Sequence, residues 1–435
     1  MRLKEVQKVR RELEKFLAPY QEDIGRSDRM RQCGLYVSGL LLDGERKSIQ
    51  PMASRLPGAE EQNLQQFVNQ SPWEHEGVQK RMRREMEAWG GGREGVLILD
   101  DTTLPKKGKA SAGVGPQYCG ALGKIANCQC LVSWHYAGKK GHWPMGAELY
   151  LPKGWRNRKR AKRAGIPKDR LSGITKSELA LKLLKEIGKE APHRAVVFDA
   201  WYGENKAFRE ELDRMGEHFV GAIPRSQSFW SAEVKTKRRK NGRSPRSLTG
   251  VADGRVKPRK AEEWGRQGDW AEIRLKTSHP VKVLAKAFRV RETNQSDWRY
   301  PKAERWLIVE KESSGRMGYY VSNFPVEASL EEMVLTAHER WKVEQGYQRL
   351  KEELGLDHFE GRSWRGLHHH VTLCFLAYGF LLRTGRALKK TDLRSRSFGD
   401  GSTASYPLAG VIDAEPGPNG AAGLSSKRWA VAAYT

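Results

Sequence analysis

The sequence predicts an α/β fold in which a mixed sheet is flanked by helices, a helical region precedes it and a β-rich segment is inserted. Three observations lead there. Apolar residues recur at helical spacing through the first 90 positions, as in Val6, Val9, Leu13, Phe16 and Leu17. From Gly95 onward, short apolar runs alternate with amphipathic stretches. Between about 227 and 325, period-two patterns replace the helical ones.

Length and charge bound the rest. With 435 residues the chain exceeds one ordinary hydrophobic core, so two or three domains are expected. Its 38% hydrophobic content and 14 Trp exclude a disordered chain. A net charge of +26 favours a polyanionic partner, most commonly nucleic acid. Five scattered cysteines without a C-x-x-C pair point to a reducing compartment. The start, MRLKEVQKVRRELEKF, lacks a signal-peptide core, and VTLCFLAYGFLL at 371–382 is too short to span a bilayer. A soluble cytoplasmic protein without membrane contact is expected.

The elements follow in order. Residues 1–92 form a helical region that VQKRMRREMEAW completes and GGG at 90–92 ends. VLIL (96–99) is a buried strand run leading into DDTT, and 127–138 and 142–152 give two more strands. ITKSELALKLLKEIG is a helix with Thr175 and Glu178 in capping-box spacing and Gly188 at its end. AVVF then ends in Asp199, followed by the helix ENKAFREELDRMG and the strand HFVGAIPR. Residues 93–226 thus make the first part of a core. Residues 227–325 are the β-rich insertion, with strands in WAEIRLKTS, VKVLAKAFRVR, RWLIVEKE and MGYYVSN. Residues 326–390 return to helix, opened by Ser329 and Glu332 and with Gly355 as a stop. Residues 391–435, rich in Gly, Ser, Pro and Ala, read as a loosely ordered tail.

The order strand, strand, strand, helix, strand, helix, strand is that of the ribonuclease-H-like fold, with acids on the first strand, after the fourth and on a late helix. Three acids here occupy such places. Asp100 and Asp101 follow VLIL, and alternation sends their side chains to opposite faces. Asp199 follows AVVF. Glu344 lies in RWKVEQGYQRLK, with Arg340 four residues before and Lys351 seven after. On one continuous helix these three fall within roughly 40° of one another. Singly, each has an ordinary explanation: a strand-ending turn, or an exposed ion pair worth about 0.3–0.5 kcal/mol. Together, in so basic a chain, they point to a site.

Arg340, Glu344 and Lys351 match the Tyr-Arg-Glu-Lys signature of cut-and-paste insertion-sequence transposases with an Asp-Asp-Glu triad. DDTTLPKKGK, QYCGALGKIANCQ, FDAWYG and RWKVEQGYQRLKEELGLDHFEGRSWRG resemble one subgroup of that family, across about residues 60–385. The resemblance selects Asp101 over Asp100 because the family's first Asp directly precedes a Thr. It implies Asp101, Asp199 and Glu344 as catalytic residues and ligands of two Mg²⁺ (or Mn²⁺) ions. It further implies double-stranded DNA as partner, both terminal inverted repeats and target, a synaptic homodimer, and a bacterial, nucleoid-associated setting. The signature's Tyr falls on Ala337, and Tyr347 is the candidate substitute.

Arg340, Lys351, Lys106 and Lys107 are the candidate DNA contacts, with Lys109 close by. Trp298 is the candidate for stacking a flipped base, with Trp306, Trp230, Trp264 and Trp270 as alternatives. Two basic runs, 153–170 and 235–246, suit phosphate. Two other readings stand beside this one: a ribonuclease-H-like nuclease without strand transfer, and a non-catalytic DNA-binding relative. Cys119, Cys128, Cys130 and His135 lack zinc-knuckle spacing. The triple histidine 368–370 reads as a phosphate-facing or partly buried helix start.

Overall fold

The computed structural model describes residues 3–239, 248–275, 281–294 and 297–395. The N-terminal region forms α1 (Leu3–Leu17), α2 (Gln21–Ile24), α3 (Ser27–Leu41), α4 (Ile49–Arg55), α5 (Glu61–Asn69) and α6 (His75–Gly90). Strands β1 (Val96–Pro105), β2 (Gly115–Cys119), β3 (Lys124–Gly138) and β4 (Gly141–Leu149) follow, then α7 (Arg158–Arg163) and α8 (Lys176–Ile187). Next come β5 (Ala195–Phe198), α9 (Ala200–Glu204), α10 (Lys206–Met215) and β6 (Phe219–Ala222). The insertion carries β7 (Ser228–Ser231), β8 (Thr236–Arg239), β9 (Leu248–Val251), β10 (Arg259–Lys260) and α11 (Ala261–Trp264). It continues with β11 (Ala271–Leu275), β12 (Val281–Glu292), β13 (Glu304–Lys311) and β14 (Met317–Ser322). Helices α12 (Leu330–His338), α13 (Trp341–Glu352) and α14 (Trp364–Ser395) follow. The predicted tail at 391–435 thus begins inside α14, and the remainder lies outside the described residues, as do residues 240–246 of the second basic run.

The chain divides into two compact units. One comprises Met1–Gly92, Asp101–Pro192 and the described residues from Val343; the other comprises Arg93–Asp100 and His193–Lys342. Strand β1 contributes to both, the division falling between Asp100 and Asp101.

In the first unit, β3 is the spine. It pairs antiparallel with β2 over one half and with β4 over the other, with a register shift between Trp134 and His135. Helix α8 covers it, and the Trp134 indole donates to the Ala180 carbonyl at 2.9 Å. Helix α14 is apolar almost all round from Leu367 to Phe380, which is why it is buried. It packs against α3, α5, α6 and β4. Phe16 meets Phe380 edge-on at 5.6 Å. Each such large apolar side chain contributes about 1.5–3 kcal/mol on burial.

The triple histidine is buried, so the phosphate-facing reading is corrected. His369 stacks on Trp73 at 3.6 Å, with its ring nitrogens 2.8 Å from the Val68 and Trp73 carbonyls. Tyr36 shares a 2.8 Å hydrogen bond with His370. These rings fasten α14 to the N-terminal helices.

In the second unit, β1 pairs parallel with β5 (Val96↔Ala195 to Leu99↔Phe198), and β5 pairs parallel with β6. Val96–Leu99 and Ala195–Phe198 are buried throughout, as strands covered on both faces require. The sheet continues antiparallel through β14, β13, β12 and β7 to β10, with β11 on β12. The insertion therefore extends the core sheet. Within this unit, β1, β5 and β6 are successive neighbours, as β2, β3 and β4 are linked in the first. Among the described residues, no helix is long and apolar enough to cross a membrane.

Candidate active site

Strand β1 runs six residues past Leu99 instead of ending in DDTT. Thr102, Thr103 and Leu104 are buried, and β-branched residues prolong a strand where a turn was expected. Its neighbour β5 stops at Phe198, in register with Leu99, so β1 outruns it from Asp100 onward. Both acids of the pair are half-buried.

In the first unit, Asp101 has a specific partner: the Lys176 ammonium lies 2.8 Å from its carboxylate. Lys176 opens α8, directly after the cap. Thr175 Oγ accepts from the Glu178 N–H at 3.2 Å, and Glu178 accepts from the Thr175 N–H at 2.7 Å. This reciprocal cap fixes the backbone from which Lys176 reaches Asp101. A cation in the first turn opposes the helix dipole, a local cost that the carboxylate offsets.

Asp199 caps α9: its Oδ1 accepts from the Tyr202 N–H at 3.2 Å. Gly203 then passes so close to β6 that an added Cβ would lie 1.8 Å from the Ala222 carbonyl oxygen. Only glycine holds α9 there, which explains the last residue of FDAWYG. Trp201, beside Asp199, is 54% exposed.

Glu344 occupies the first turn of α13, where the helix dipole favours an acid, and is half-buried. Two contacts in the first unit hold this helix on the strands. The Tyr347 hydroxyl is 2.5 Å from Ser133 Oγ on β3. The Lys351 ammonium donates to the Thr103 carbonyl at 3.3 Å, two residues beyond Asp101 on β1.

Several expected contacts differ. Arg340 is not on the helix of Glu344 and Lys351. The chain tightens into three-residue steps between α12 and α13, with Arg340 N–H on Ala337 O and Lys342 N–H on Glu339 O at 3.3 and 3.1 Å. The shared face therefore holds only for Glu344 and Lys351. Tyr347 is buried against Ser133, which withdraws it from phosphate. The Lys106 ammonium turns inward to the Phe359 carbonyl, and burial pulls its pKa down. Lys107 and Lys109 are exposed. Trp298 is 39% exposed and stacks on Trp230 at 5.8 Å, whose indole donates to the Trp298 carbonyl. Trp264 is buried under Arg259, and Trp306 donates to the Pro325 carbonyl.

The basic run 153–170 folds into two short 3₁₀ turns flanking α7, anchored by buried Trp155, whose indole donates to the Val114 carbonyl. Arg160 covers the Trp155 ring at 3.8 Å, while Lys153, Arg156, Arg158, Lys159, Lys162, Arg163 and Lys168 are exposed.

The profile of a family described as DDE superfamily endonuclease matches residues 19–281. The chain belongs to that family. The match includes Asp101, Lys176 and Asp199 and ends before Glu344. The chain is also similar to "Probable transposase for insertion sequence element IS701" of Microchaete diplosiphon. The two are 29% identical over 187 residues, 42% of this chain and 46% of the relative, so the likeness spans less than half of that protein. Among solved structures, a piggyBac transposase synaptic complex with hairpin DNA aligns with 91% of this chain and 75% of its own, at 12% identity and a TM-score of 0.40. The NurA nuclease from Sulfolobus solfataricus aligns with 69% of this chain and 86% of its own, at 10% identity and a TM-score of 0.26.

Lys176 was missed at the sequence level. Its signal was present as a lysine directly after a capping threonine, where a cation is unfavourable without a partner acid.

Proposed function

We propose that this DDE superfamily member is an insertion-sequence transposase. It cleaves phosphodiester bonds at the inverted-repeat ends of a mobile element and joins the freed 3′-OH to target DNA. The carrying observation is the β1–β5 register: Asp199 follows the residue paired with Leu99, and Asp100 and Asp101 follow Leu99. Helix α13, which bears Glu344, is anchored on β1 and β3.

Asp101, Asp199 and Glu344 are the assigned metal ligands. All three are half-buried carboxylates, and hard oxygen donors suit Mg²⁺ or Mn²⁺. When bound, two such ions supply charge neutralisation at the scissile phosphate and an activated nucleophile. The chain's own residues do the rest. The Asp199 cap and the α13 anchors orient the carboxylates. Lys176 holds Asp101 in place. Lys107, Lys109, Lys351 and the exposed cations of 153–168 bind DNA phosphates, and Trp298 offers a face for an unstacked base. Two copies act together on paired element ends in the bacterial nucleoid.

The test is a duplex carrying the element's own inverted repeat, incubated with full-length protein and Mg²⁺. Nicked and strand-joined products are expected. Asp101→Asn, Asp199→Asn and Glu344→Gln each reduce cleavage at least about 1,000-fold while DNA binding persists. Cleavage without joined product supports the nuclease reading, and binding without cleavage supports the non-catalytic one.

A further inference from the structure

A second cluster of metal-ligating groups lies in the first unit, built from residues far apart in sequence. His75 opens α6, Glu148 lies near the end of β4 and His368 lies in the first turns of α14. One ligand atom from each falls within 4.8 Å of the other two. His75 is 9% exposed, Glu148 3% and His368 0%.

Hydrogen bonding fixes which atoms face inward. His368 Nδ1 is 2.9 Å from the Trp364 carbonyl oxygen, four residues back on its own helix. A carbonyl only accepts, so Nδ1 carries the proton. Nε2 lies 3.4 Å from the Leu149 nitrogen. Nε2 also lies 2.9 Å from Glu148 Oε1. A proton on Nε2 makes this contact an imidazolium–carboxylate ion pair, and a divalent cation would take that proton's place. The His75 ring is beside them, its centroid 4.6 Å from that of His368.

The surroundings resemble the outer shell of a metal site. The donation from Nδ1 to a backbone carbonyl is the usual device for orienting a ligating imidazole. Glu148's other oxygen is held by Arg170 Nη1 at 3.2 Å, and Arg170 also pairs with Glu76 and Asp169. Arg170 therefore orients the carboxylate without covering Oε1.

We propose that His75, Glu148 and His368 form a structural zinc site that ties α6, β4 and α14 together. Two imidazoles and one carboxylate suit Zn²⁺ and disfavour Mg²⁺, which takes oxygen ligands. Zinc bonds of about 2.0–2.2 Å put tetrahedral ligand atoms about 3.3 Å apart, between the closest spacing here and the 4.8 Å limit. Side-chain adjustments of about 1 Å close the site.

The experiment uses full-length protein purified with zinc, dialysed into millimolar Mg²⁺ without chelator, and assayed for metal by mass spectrometry. About one zinc per chain is expected, with at least tenfold weaker zinc binding in His75→Gln and Glu148→Gln (about the size of a lost ligand-shell contact). Wild-type protein that binds no zinc at micromolar concentration overturns the proposal, as do both variants binding it as tightly as wild type. Should the variants fail to fold, cobalt in wild-type protein decides. Intense visible bands of tetrahedral Co²⁺ are expected, bleached by one equivalent of zinc, and their absence overturns the assignment.

Discussion

Lys176 places its ammonium 2.8 Å from the carboxylate of Asp101, joining the start of α8 to the middle of β1. If Asp101 is the metal ligand proposed above, this cation occupies a place that a metal ion would share.

The Lys176 pair predicts a competition. A divalent ion and an ammonium beside one carboxylate repel each other, with a screened penalty of about 1–2 kcal/mol. Lys176→Met is therefore expected to bind Mn²⁺ about tenfold more tightly than wild type in the absence of DNA, read by electron paramagnetic resonance titration. Unchanged or weaker binding contradicts a purely neutralising role.

In the second unit, Arg209 and Arg305 both hold Glu292 Oε1 at 3.1 Å, and all three side chains are buried. Removing the shared acid leaves two buried guanidinium groups without it. Glu292→Gln is expected to cost about 3–5 kcal/mol, measured by denaturant unfolding. A change below about 1 kcal/mol would show that water reaches these groups.

His135 on β3 is buried, and its ring meets Tyr347 edge-on at 5.0 Å. Burial, reinforced by nearby His142, pulls its pKa from 6.5 down to about 3. The folded state keeps it neutral where the unfolded chain takes up a proton. Its contribution is therefore complete above pH 6.5 and is lost as pH falls toward 3, amounting to about 2 kcal/mol by pH 5. The melting temperature of wild type should drop between pH 7 and 5, and that of His135→Leu should drop less. Parallel curves would remove His135 from the account.

Much of the core was legible because its signals are local. The capping box at Thr175, the apolar run ending at Asp199 and the period-two insertion all appear where expected. What stayed illegible depends on partners distant in sequence. Nothing in HERW marks the break that separates Arg340 from the helix of Glu344. Tyr347 is the candidate substitute for the signature's tyrosine, yet its hydroxyl lies against Ser133, 214 residues earlier. Lys106 sat in an evidently basic loop, yet Phe359 draws it inward. His368 read as part of a phosphate-facing or partly buried helix start, whereas Glu148 and His75 lie beside it in the fold.

The central claim is that Asp101 binds a divalent metal during DNA cleavage, and metal rescue of Asp101→Cys tests it most directly. A thiolate binds Mg²⁺ poorly and Mn²⁺ better. The account predicts that this variant is inactive on the inverted-repeat duplex in Mg²⁺ and regains at least about tenfold activity in Mn²⁺. Wild-type cleavage in Mg²⁺, or no cleavage in either metal by a folded, DNA-binding variant, contradicts it.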